Sequence, residues 1–158
     1  MEILLVNYAD TQHAQWLVNI HSEYARDPMG GGEDLSKEVK ENLVSQLSQV
    51  PGAFSLIAIK DGIPVAYTNC LMGFSTFAAK PLINVHDIYV HADFRGQGLS
   101  HQLLTEVEKI AHERQCCKIT LEVLSNNAPA KASYNKFGFS DYQLDPSSGS
   151  ALFWQKKL

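Results

Sequence analysis

The stretch Val90-His91-Ala92-Asp93-Phe94-Arg95-Gly96-Gln97-Gly98-Leu99-Ser100 restricts the chemistry of this chain more than any other. It leads an apolar strand pattern into an amphipathic helix pattern, with glycines at the junction. A helix N-terminus exposes unpaired N–H groups and carries a partial positive charge. Glycines at that place remove the side chains that would keep an anion away. The backbone amides of Gln97 to Ser100 can thus hold a pyrophosphate, with Arg95 alongside. A glycine turn that merely starts a surface helix has the same composition. No Gly-Lys-Ser/Thr follows, so the stretch is not a nucleotide P-loop, and its spacing is not the dinucleotide GxGxxG.

A second group lies downstream, where Glu122-Val123-Leu124-Ser125-Asn126-Asn127-Ala128 runs on to Tyr134-Asn135-Lys136-Phe137-Gly138-Phe139. Arg95 to Ser100 closely resembles the Arg/Gln-x-x-Gly-x-Gly/Ala motif of the GNAT superfamily of N-acetyltransferases. The downstream group resembles the family's second hallmark, a strand followed by Asn-x-x-Ala-like residues and a Tyr-x-x-x-Gly-Phe ending. The match covers Phe54 to Gly138 well and the N-terminal helices in outline. Ser100 stands where the family has Gly or Ala, and its hydroxyl can itself donate to phosphate.

The resemblance implies acetyl-CoA as cofactor and transfer of its acetyl group, by direct attack, to a primary amine of a small molecule or peptide. It puts the pyrophosphate on Arg95, Gly96, Gln97, Gly98, Leu99 and Ser100. It also implies that the backbone of Asp87 to Val90, including Ile88, bonds the pantetheine arm. A bulge there would aim an amide near Tyr89 or Val90 at the acetyl oxygen. Asn127 is similar to the family asparagine that contacts the cofactor, and it also suits a helix cap. Tyr134 occupies the position of the tyrosine that points to the thioester sulfur, which implies a proton donor to the departing thiolate.

Attack on a thioester needs a neutral amine, so a base or an ordered water must take a proton. Glu122 is one candidate, because a carboxylate on the polar face of an internal strand is unusual. Pairing with Lys118 or a backbone donor explains it as well. His86 and Asp87, on opposite faces of the preceding strand, compete with it; histidine has a suitable pKa. A non-catalytic acyl-CoA-binding regulatory domain is the alternative function. The family's acceptor pocket would draw on Tyr24, Asp27, Met29, Glu33 and Asp34, then on Phe74, Ser75, Thr76 and Phe77.

The elements that must position these residues read in the order β-α-α-β-β-β-α-β-α-β-β. This predicts a mixed, mostly antiparallel sheet flanked by helices, an α/β (α+β) fold in one domain over 1–158. Ile3 to Val6 is the opening strand. Asp10 or Thr11 caps a helix carrying Trp16, Leu17, Ile20 and Tyr24, which ends near Pro28 before Gly30-Gly31-Gly32. Ser36 caps a second helix, stopped by Pro51-Gly52. Phe54 to Ile59 and Val65 to Phe74 form a hairpin through Lys60-Asp61-Gly62, and Leu82 to Val90 is the next strand. From Gly98 a long helix presents Leu99, Leu103, Leu104, Val107, Ile110 and Ala111 on one face. Ile119, Leu121 and Val123 alternate as a strand. A helix from Ala128 to Lys136 ends at Gly138, and Phe139 to Leu144 with Ala151 to Gln155 makes a closing hairpin.

Composition narrows the partners. A net charge of -4 and a pI near 5.8 argue against nucleic acid. With neither a basic leader nor a sustained apolar run, the chain is expected to be cytoplasmic and off the membrane. Cys70, Cys116 and Cys117 form no disulfide or zinc pattern and read as reduced, buried thiols. A homodimer is left open.

Overall fold

A computed structural model describes residues 1–142, 145, 147 and 149–158. Its contacts divide the chain into two compact units, Met1–Leu121 and Glu122–Leu158.

The first unit holds β1 (Glu2–Leu5), α1 (Thr11–Arg26), α2 (Lys37–Leu47), β2 (Phe54–Lys60), β3 (Ile63–Ser75), β4 (Lys80–Val90), α3 (Leu99–Glu113) and β5 (Ile119–Leu121). They build one sheet in the order β1-β2-β3-β4-β5. The first three pairings are antiparallel, and β4 pairs with β5 in parallel. A parallel pair needs a long crossover, and α3 supplies it. The predicted order therefore holds from the first strand through the fifth.

Local chemistry explains the boundaries. The Asp10 side chain accepts the His13 amide at the start of α1, and Ser36 accepts the Val39 amide at the start of α2. The β2–β3 turn places Asp61 at φ 52° and Gly62 at φ 78°, the primed turn that matches strand twist. A 3-10 turn at Ala92–Phe94, not foreseen from the sequence, joins β4 to the glycine loop.

A cross-strand row on one face of the sheet, Leu4–Ile57–Tyr67–Tyr89, packs with Leu17, Ile20 and Val44 from α1 and α2. Meanwhile α3 buries Leu99, Leu103, Leu104, Val107 and Ala111 and packs against β2, β3 and β4. Burying one Leu of this kind is worth roughly 1.5–3 kcal/mol, so α3 is fixed by its apolar face.

Three sequence expectations change. The strand at Ile119 ends at Leu121 rather than Val123, and it lies at the edge of the described sheet. Glu122 is therefore exposed beyond a strand end, not on the polar face of an internal strand. Among the described residues of 139–158 there is no strand; Gln143, Leu144, Pro146 and Ser148, part of the expected hairpin, lie outside the described residues. Finally, only Cys70 is buried, whereas Cys116 is half-buried and Cys117 exposed. Burial pushes the Cys70 thiol up to about 12, which keeps it protonated and unreactive.

The second unit contains α4 (Ala128–Phe137). Asn127 caps its start, accepting the Ala130 amide at 3.2 Å. Gly138, at φ 112°, closes its end by donating to the Tyr134 and Asn135 carbonyls.

Candidate active site

The strand β4 has two different edges. Along one it pairs with β3 over its whole length. Along the other, among the described residues, the β5 ladder covers Ile83, Asn84 and Val85 and then stops. The register against β3 slips at that same place: Cys70 pairs with Val85, and Asn69 with Asp87. His86 is the extra residue of a β-bulge. A bulge bends its strand and raises the local twist, so β5 follows β4 no further. The backbone from His86 to Val90 is left as an edge that β5 does not cover.

That edge runs into the glycine loop. After the 3-10 turn, Gly96 takes φ 75° and Gly98 φ 78°. A Cβ built on either glycine would meet nothing within 4 Å, so the space before α3 is open. The other helices begin on capping side chains, Asp10, Ser36 and Asn127. α3 begins on Gly98, which offers none. Open space in front of backbone donors is what a pyrophosphate requires, and the residues present fit that group.

Arg95 is held by the end of β4 and by the end of α1. Its guanidinium donates to Asp27 Oδ2 at 2.6 Å and to the Val90 carbonyl at 3.0 Å, and it lies 5.6 Å from the Tyr89 ring centre. Asp27 is the C-cap of α1; its Oδ1 takes the Met29 amide, and its carbonyl takes the Gly30 and Gly32 amides. Burial raises the Asp27 pKa, but the Arg95 hydrogen bond, the Met29 amide and the Arg95 charge outweigh it and hold the carboxyl below the usual range. The pair fastens the glycine loop to the end of α1.

The bulge also decides which way β4 side chains point. Asp87 and Tyr89 now share a face with Asn69, Tyr67 and Ser55. There the structure builds a polar row that the sequence did not reveal. Tyr8 Oη meets Ser55 Oγ at 2.8 Å, Ser55 Oγ donates to Asn69 Oδ1 at 2.6 Å, and Asn69 Nδ2 donates to Asp87 Oδ2 at 2.9 Å. Ser55 and Asn69 are buried. Beside the row, His21 from α1 hydrogen-bonds the Tyr67 hydroxyl. Burial holds the His21 pKa below its ordinary value against the pull of Asp87. Burial, with Asp87 next, raises Tyr24 and Tyr67.

The remaining candidates divide. Tyr24 lies beside Tyr89, ring centres 5.5 Å apart. His86 is exposed at the bulge, Ile88 and Val90 are half-buried, and Tyr89 is buried. Asp34 is tied to Lys40 and Arg26, which bring it down to about 2. Phe74 and Phe77 are exposed. In the second unit Tyr134 is half-buried, with its ring 6.1 Å from that of Phe139. An open groove of about 580 Å³ lies between α1 and α2, lined by Gln15, Asn19, Glu23, Arg26, Lys40 and Glu41 among others. Among the described residues no group of three His, Cys, Asp or Glu could hold a metal, and no helix is long and apolar enough to cross a membrane.

The model of the acetyltransferase (GNAT) family matches residues 17–139. A Bacillus subtilis protein assigned as a ribosomal protein bS18-alanine N-acetyltransferase is 24% identical over 121 residues, covering 73% of this chain and 76% of its own. The streptothricin acetyltransferase of Escherichia coli is 34% identical over 82 residues, 46% of this chain and 47% of that one. The chain thus aligns with about half of the latter's length. Among solved structures, the aminoglycoside acetyltransferase AAC(6')-Iy, bound to a bisubstrate analogue of CoA and acetylneamine, superposes with a TM-score of 0.76 at 14% identity over 100% of both chains.

Proposed function

Starting from the fact that the chain belongs to the GNAT acetyltransferase family, we propose that it moves the acetyl group of acetyl-CoA to a primary amine by direct attack. The proposal takes 1–158 as one N-acetyltransferase domain, acting in the cytoplasm on a small molecule or the end of a peptide. One observation carries it: a β4 edge at His86–Val90 that β5 does not cover runs, through a 3-10 turn and the glycine loop, to a helix that starts on an open glycine. Backbone donors and acceptors along such an edge suit an extended pantetheine arm, and the α3 amides suit its pyrophosphate.

Bound acetyl-CoA would supply the thioester carbonyl that an amine attacks. Around it the chain's own groups have distinct tasks. The amides of Gly96 to Ser100 bind phosphate. The amide of Tyr89 or Val90 on the open edge can face the acetyl oxygen, where one aligned donor is worth roughly 3 kcal/mol. Arg95 lies alongside the phosphates and is held there by Asp27. Tyr134, by its place in the motif, gives its proton to the leaving thiolate. Asn127 caps α4 with Oδ1, which leaves the cofactor contact to its amide nitrogen.

Several relatives are named for amines: streptothricin, thialysine, and the alanine of a ribosomal protein. The test is thiol release from acetyl-CoA with streptothricin, thialysine, neamine and an alanine-starting peptide as acceptors. Release with at least one, together with a mass gain of one acetyl group, supports the reading. Tight acetyl-CoA binding without release on any of them would favour the non-catalytic regulatory domain.

A further inference from the structure

The reaction needs a group to receive the amine's proton, and the fold provides one at the bulge. We propose that Asp87 is the proton acceptor of the transfer, and that the buried row Tyr8–Ser55–Asn69 holds its carboxylate in place. The assignment rests on the amine acetyltransferase reading above.

Three observations converge on Asp87. It is the first residue after the bulge, at the start of the uncovered edge. It is half-buried and belongs to the face that Tyr24 and Tyr67 line. It is held by a neutral amide, Asn69 Nδ2 at 2.9 Å, rather than by a cation. The contrast with Asp27 and Asp34 matters. Those carboxylates are locked to Arg95, and to Lys40 with Arg26, and such pairing suppresses proton affinity. Asn69 is itself oriented, because its Oδ1 accepts from Ser55 Oγ and so its Nδ2 must face Asp87. Burying Ser55 and Asn69 is costly unless each is satisfied, and their hydrogen bonds end on this one carboxylate.

The proton balance is simple. An N–H bond of the protonated amine breaks and an O–H bond forms on Asp87, and the neutral amine then forms an N–C bond to the thioester carbonyl. The C–S bond breaks, the thiolate leaves with a proton from Tyr134, and the proton shed by the acetylated nitrogen replaces it. Asp87 is thus a catalytic residue, and Asn69 and Ser55 are positioning residues. The groups facing Asp87 are His21 and Tyr24 from α1, and Tyr67 and Asn69 from β3.

The test measures kcat/KM against pH for Asp87→Asn, Asn69→Asp and Asn69→Ala, using whichever of streptothricin, thialysine, neamine or the alanine peptide the wild-type protein acetylates. Asp87→Asn should lower kcat about 100-fold near neutrality, with acetyl-CoA affinity by calorimetry unchanged and the loss shrinking as pH rises. Asn69→Asp puts a second carboxylate against the first, so the acidic limb of the profile should move to higher pH. Should Asn69→Asp not fold, Asn69→Ala should lower kcat about 10-fold with KM kept. A loss for Asp87→Asn that is flat across pH, or an unmoved limb, overturns the assignment. So does the pH-recoverable loss appearing in Glu122→Gln or His86→Ala instead. Acetylation of none of the four amines overturns it together with the amine acetyltransferase reading, whereas acetylation that is intact in Asp87→Asn overturns it alone.

Discussion

Gly62 and Gly98 make a matched pair for testing the phosphate cradle. Both have φ 78°, and a Cβ on either meets nothing within 4 Å. Alanine at each position therefore costs backbone strain and no clash, about 1–2 kcal/mol for an L-residue in the left-handed region. In a domain of this length that lowers Tm by about 2–8 °C at 2–4 °C per kcal/mol. The two variants should lose the same stability without ligand, because turn and helix start are equally strained. They should differ when acetyl-CoA is added. At 100 times Kd a ligand adds about 2.7 kcal/mol to the folded state, and Gly62→Ala should keep that gain in full. Gly98→Ala places a methyl group where the pyrophosphate approaches the α3 amides. A tenfold weaker Kd removes about 1.4 kcal/mol of the gain, roughly half of it. Thermal denaturation with and without acetyl-CoA reads both quantities on the same samples. Equal ligand-induced shifts in the two alanine variants would refute the cradle, whatever their stability.

Other predictions test the acid, the histidine and the helix start. Tyr134→Phe keeps the ring beside Phe139 and removes only the hydroxyl, so turnover should fall about 100-fold while acetyl-CoA affinity and Tm stay near wild type; unchanged single-turnover rates would demote it to a packing residue. Burial depresses His21, so the unfolded chain takes a proton that the folded chain resists. Its contribution is complete above the ordinary pKa of 6.5 and is lost as pH falls from there toward the folded value. The drop in Tm between about pH 7.5 and pH 5.5 should accordingly be smaller in His21→Gln than in wild type; an equal drop would show that His21 does not titrate in this range. Ser36→Ala removes the oxygen that accepts the Val39 amide at 3.2 Å and should cost about 1 kcal/mol, measured by urea denaturation.

The chain by itself determined every element whose cause is local. Asp10, Ser36 and Asn127 cap helices through their own side chains, and Asp61-Gly62 and Gly138 adopt conformations their types favour. The apolar stripe of α3 and the glycines before it are also local patterns, and the motif they form carries the family resemblance on which the expected cradle rests. What depended on pairing between distant strands could not be read this way. Alternation in Ile119-Thr120-Leu121-Glu122-Val123 continues past Leu121, yet the strand stops there because its partner bulges at His86, thirty-odd residues earlier in the chain. Glu122 loses its place on a strand for that reason. The same one-residue slip turns Asp87 toward Asn69 and Ser55, residues that look like ordinary polar positions in β2 and β3. A strand's faces alternate with period two, so one extra residue reverses which side chains enter the site. Only the three-dimensional register records that reversal.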